Sequence, residues 1–117
     1  MWILTPFGFF SVVQKKEDHM LSVRSRVYAD LQHLIQAYLP DVQNIEEGGY
    51  SDYPYRIFVS HAAWGQALGQ IARDIDYPNF KRTVKQRQGS DRSAVYRRVW
   101  QELYTLQEEC DDRKSRC

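Results

Sequence analysis

Apolar and polar positions change period several times along the chain, and each change marks an element. Phe9 to Val13 is aromatic and β-branched, as strands favour, and the polar run Gln14 to Met20 reads as a hairpin loop. Leu21 to Val27 alternates strictly, which puts Leu21, Val23 and Val27 on one face of a strand and Arg24 and Arg26 on the other. From Tyr28 the spacing becomes helical, through Leu31, Leu34, Ile35 and Tyr38, until Pro40 stops it. Asp41 to Glu47, with Val42 and Ile45, predicts a weaker strand, and Gly48-Gly49 suits the positive φ of a turn. The return strand, Tyr53 to Val59, sets Tyr53, Tyr55, Ile57 and Val59 against Arg56 and Phe58, with Pro54 at an edge.

Three helices complete the pattern. Ser60 caps the first, whose Trp64, Leu68, Ile71 and Ile75 should pack on the sheet face formed by Val23, Tyr55 and Ile57, with Gly65 and Gly69 marking close approach. Asp76 and Pro78 restart the chain into a short basic helix that Gly89 closes. Ser90-Asp91 caps a last helix with a Val95, Val99, Leu103, Leu106 stripe flanked by Trp100 and Tyr104. The order predicts an α+β fold, ββαββα: an antiparallel sheet of about four strands, its helices on one face, with a C-terminal helical pair. A ferredoxin-like variant fits this order. Residues 1–107 are expected to form one compact domain and residues 108–117 a polar, frayed tail.

Composition narrows the class. In 117 residues, 43% are hydrophobic and 26% charged, as in ordinary globular domains. The apolar opening lacks a cationic start and is interrupted by Pro6 and Gly8, and Gln14 to His19 ends it well short of a membrane span, so a cytoplasmic protein with no membrane partner is expected. The two cysteines, Cys110 and Cys117, both lie in the polar tail, where reduced thiols are expected.

Net charge is only +1, yet it is unevenly spread. Between Asn79 and Arg98, Lys81, Arg82, Lys85, Arg87, Arg92, Arg97 and Arg98 face a single anion, Asp91, a local +6 that leaves −5 for the rest of the chain. Such a segment suits an anionic partner, with nucleic acid favoured over an acidic protein surface, because neutralised phosphates dominate non-specific nucleic-acid affinity. A possible second surface carries Arg24, Arg26, Arg56 and Phe58, with Phe10 beside them; cations interleaved with rings are the ingredients of a single-strand stacking platform. Alternatively, the helical pair packs across that face and makes its aromatics core.

No catalytic, cofactor or metal site is read from the chain. His19, His33 and His61 share no ligand spacing, and Asp74 and Asp76, two apart, point to different sides of a helix. Two alternatives to a non-catalytic nucleic-acid module stand. One is protein interaction or regulation, suggested by three Trp, eight Tyr and eleven Arg. The other is a metal-independent ribonuclease built from Tyr96, Arg97 and His61.

The opening Trp2-Ile3-Leu4-Thr5-Pro6-Phe7-Gly8-Phe9-Phe10-Ser11-Val12-Val13 resembles a group of small bacterial proteins of unknown function. So do Leu21-Ser22-Val23-Arg24-Ser25-Arg26, Ile75-Asp76-Tyr77-Pro78-Asn79-Phe80-Lys81 and Val95-Tyr96-Arg97-Arg98-Val99-Trp100. The resemblance covers residues 2 to 107 and implies a bacterial single domain, with no activity, ligand or partner attached.

Overall fold

The computed structural model describes residues 1–15, 18–48 and 52–112, and its contacts gather into two units, Met1–Asp76 and Tyr77–Cys117. The first unit holds β1 (Trp2–Thr5), β2 (Gly8–Gln14), β3 (Leu21–Ser25), α1 (Tyr28–Tyr38), β4 (Glu46–Glu47), β5 (Tyr55–Val59) and α2 (His61–Arg73). Its sheet runs β1-β2-β3-β5-β4 with every neighbouring pair antiparallel. The α+β class and antiparallel sheet agree with the sequence pattern, but the described residues form five strands.

The extra strand is β1. Pro6 and Gly8 do not break the apolar opening; they turn it, so that Trp2 pairs with Ser11 and Thr5 with Gly8. Thr5 locks the turn, since its hydroxyl donates to the Gly8 carbonyl (2.8 Å) and accepts from the Gly8 N–H (3.0 Å). Phe7, at the tip, is buried and stacks on His33 (4.8 Å) and Tyr38 (5.5 Å) of α1. A second tie joins hairpin and helix: Asp30, in the first turn of α1, accepts from the Phe9 N–H (3.1 Å).

The core fills one face of this sheet. Phe10 and Val12 of β2, Val23 of β3 and Ile57 and Val59 of β5 meet Leu31 and Leu34 of α1 and Trp64 and Ala67 of α2. Phe10, fully buried there, is therefore not beside the arginines. Ser60 caps α2 as expected, accepting from the Ala63 N–H (3.1 Å). Leu68 and Ile71 pack against the core, but Ile75 is 57% exposed because α2 ends at Arg73 and its spacing does not carry on. Gly65 and Gly69 do not mark close packing: a Cβ at either would meet nothing within 4 Å. The strand expected over 41–47 is reduced to Glu46–Glu47, while Val42 and Ile45 still pack on the core. Gly48 has a φ of +84°; Gly49, the rest of that turn, lies outside the described residues.

In the second unit, α3 (Phe80–Gln88) and α4 (Ser90–Asp112) form a helical hairpin. Asn79, rather than Asp76, caps α3, its Oδ1 accepting from the Arg82 N–H (2.9 Å). Gly89, with φ +93°, ends it. Val84 and Tyr96 are buried, and Phe80 stacks on Tyr96 at 5.9 Å with planes 11° apart. The last helix continues to Asp112, past the Glu108 where fraying is expected. Cys110 near its end is disulfide-bonded, which corrects the expectation of reduced thiols; Cys117 lies outside the described residues. Among the described residues, no helix is long and apolar enough to cross a membrane.

Candidate nucleic-acid interface

An α-helix turns about 100° per residue, so the buried residues of α3 fix where its cations go. Phe80, Thr83 and Val84 define the packed side. Lys81, Arg82 and Lys85 are exposed and fall within an arc of about 100° on the opposite side. Arg87 is also exposed, but its position lies over the packed stripe, away from those three. On α4 the packed side runs through Arg92, Tyr96 and Val99. Arg92 is half-buried there, its guanidinium 5.9 Å from the Tyr96 ring. Arg97 and Arg98 are exposed and diverge by about 100°. The seven cations thus divide: three share one face of α3, Arg97 stands on one flank of α4, and Arg87, Arg92 and Arg98 point elsewhere.

Arg97 has company that the cation count misses. Trp100 and Tyr104 follow it at i+3 and i+7, within an arc of about 60°. The two rings stack at 5.9 Å and remain 53% and 46% exposed. Lys81 reaches across from α3 to set its Nζ 4.5 Å over the Trp100 ring, a cation–π contact that joins the basic face of α3 to the aromatic flank of α4. Glu102 lies about 160° around the helix from Trp100, whereas the exposed Glu108 follows Tyr104 at i+4 and bounds this flank one turn on. The spacing Arg97, Trp100, Tyr104 was available in the sequence; the contact with Lys81 was not.

The second candidate surface has a different character. Arg24 and Arg56 are cross-strand partners, 9% and 4% exposed, whereas Arg26 and Phe58 are exposed. Asp52 bridges the buried pair, its Oδ2 2.8 Å from Arg24 and its Oδ1 3.3 Å from Arg56. Its backbone carbonyl accepts from Arg26 (3.1 Å), and Arg24 also donates to Ser11 Oγ (2.6 Å). Tyr53 covers the cluster, with the guanidinium carbons of Arg24 and Arg26 4.6 and 4.4 Å from its ring centre. It lies on the arginine side because β5 starts only at Tyr55, so strand alternation does not extend back past Pro54. The Tyr53 N–H donates to Asp52 Oδ1 and, with the arginine charges adding to it, holds that carboxyl below the ordinary aspartate value. Two buried arginines already paired with the half-exposed Asp52 carboxylate do not present themselves to a strand of nucleic acid.

Asp74 accepts from Tyr38 Oη (2.8 Å) and Gln70 Nε2 (2.9 Å), which lower its pKa in that order; it caps a polar corner beside a groove of about 390 Å³. That groove is lined by Tyr38, Pro40, Asp41, Val42, Gln66 and Arg73. His61 opens α2 in the first unit, while Tyr96, buried, and Arg97 belong to the second. Among the described residues no three His, Cys, Asp or Glu side chains group closely enough for a metal. Compared with protein families, curated proteins and solved structures, the chain finds no match.

Proposed function

We propose that the chain is a non-catalytic binding module and that the α3–α4 hairpin is its interface for nucleic acid. The observation that supports this is the exposed face of Lys81, Arg82 and Lys85, continued across the hairpin by Arg97. Four cations spaced along two adjoining helices suit a polymer whose charges repeat along its backbone, and the gain comes from counterion release.

The test is a titration of the full chain against single-stranded and duplex RNA and DNA at several salt concentrations. A linear fall of log affinity with log salt is expected. Replacing Lys81, Lys85 and Arg97 with Glu should abolish binding at moderate salt while circular dichroism stays unchanged. No binding by the wild type at about 50 mM salt, where phosphate contacts are strongest, overturns the proposal. An acidic protein is the alternative occupant, and it would be retained in a pull-down after nuclease treatment.

A further inference from the structure

We infer that Trp100 and Tyr104 form a stacking platform for unpaired bases, so that the polymer held by the hairpin is a single strand rather than a duplex. This rests on the reading of the hairpin as a nucleic-acid interface and adds the form of nucleic acid it selects. Cations alone do not discriminate between the two forms, since both carry phosphates. Exposed π-faces do, because a base in a duplex is already stacked and offers only its edges.

The geometry meets the requirements in turn. Both rings lie on the flank of α4 that carries Arg97, stacked on each other, and each keeps about half its surface open. Neither takes part in the packed stripe of Phe80, Val84 and Tyr96, so their exposure is not a gap in the core of the hairpin. At the Arg97 end of the platform, ahead of Glu108, the charge favours an anionic occupant. Lys81 stands over Trp100, and Arg97 lies one turn earlier. As a base arrives on the rings, Lys81 Nζ is placed to exchange its cation–π contact for the phosphate of the same nucleotide. Stacking ignores base identity, because every base has a π-face, so weak sequence preference accompanies the strand preference.

The experiment is fluorescence anisotropy of the full chain with a labelled 12-nucleotide oligo-dT or oligo-U and, separately, a 12-base-pair duplex. Wild type should favour the single strands. Trp100→Leu and Tyr104→Leu keep apolar bulk and helix propensity but remove the π-face; each should weaken single-strand binding roughly 5- to 160-fold per lost stack. Each should leave duplex affinity and the salt slope in place, while Lys81→Glu reduces that slope. Thermal melts establish that the variants are folded; were Trp100→Leu to unfold, Tyr104→Leu and Trp100→Phe, which retains a ring and should retain most binding, carry the same test. Equal affinity for duplex and single strand, or leucine variants that bind like wild type, overturns the platform while leaving the charged interface standing. No binding of any nucleic acid overturns both. A dimer in sedimentation that Trp100→Leu dissolves would assign the rings to a second copy of the chain instead, and also overturns it.

Discussion

Replacing Gly8 with alanine probes the joint that fixes α1 against the β1–β2 hairpin. A Cβ at this position would lie 2.7 Å from both Cβ and Cγ of Asp30 and 2.9 Å from its Oδ2. Asp30 has little room to retreat: it is 3% exposed, its backbone belongs to the first turn of α1, and its carboxylate accepts from the Phe9 N–H. Either the helix shifts off the hairpin or the carboxylate leaves its bond. Forcing extra atoms into a packed site costs about 1–3 kcal/mol, and losing a hydrogen bond to a charged group about 1.5–3 kcal/mol. Since one response or the other applies, a loss of about 1–3 kcal/mol is expected. Urea unfolding followed by circular dichroism measures it, with the slope m unchanged if only stability has moved. A double-mutant cycle locates the cause: in an Asp30→Gly background, which removes both the Cβ and the carboxylate, the added penalty of Gly8→Ala should fall below about 1 kcal/mol. A loss under about 0.5 kcal/mol in the wild-type background, or an undiminished penalty without the Asp30 side chain, would refute the close-approach argument.

Gly65 and Gly69 predict the opposite sign. With nothing near a Cβ at either, alanine should raise stability by up to about 1 kcal/mol each through helix propensity, and a lower melting midpoint would show unseen packing. Ile71→Ala, half-buried on the core, should lose about 1–2 kcal/mol in urea unfolding, less than a fully buried isoleucine, whereas Ile75→Ala should change stability by less than about 0.5 kcal/mol. Asp52 and Asp74 both have carboxyl pKa values held below the ordinary 3.8, so the unfolded chain binds their protons first. The stability they add is whole above that value and lost as pH falls through the folded values; Asp52→Asn should flatten the acid limb of a pH–stability profile, and an unchanged limb would sink the assignment.

What the sequence made legible follows the range of each interaction. Strand β3, α1 and α2 depend on period and local caps, and they lie within a residue or two of where alternation, Pro40 and Ser60 put them. The start of the chain misled because Pro6 and Gly8 signal a break equally well whether the chain turns back or merely ends; only the pairing of Trp2 with Ser11 decides, and that is a contact between strands. Ile75 misled for the converse reason, since spacing continues on paper after Asp74 has ended the helix. The inner and outer faces of β3 were legible, but alternation does not say what meets the outer face. Arg24 reads as a surface cation until Asp52, 28 residues away, is seen to hold it.

The basic segment divides in the same way. Its charge is a property of composition and was plain, but charge counts every cation equally, and helical geometry does not. Val84 and Tyr96 set the packed side of each helix, and from them it follows that Lys81, Arg82, Lys85 and Arg97 remain together while Arg87, Arg92 and Arg98 leave the group. Lys81 then acquires its position from Trp100, 19 residues on, across a turn that Gly89 makes with a positive φ. Alanine at Gly89 would strain that turn and move α3 along α4, and Lys81 would lose the ring before any cation was lost from the chain. The strand preference proposed for the hairpin would therefore depend on the turn, while its charge would not.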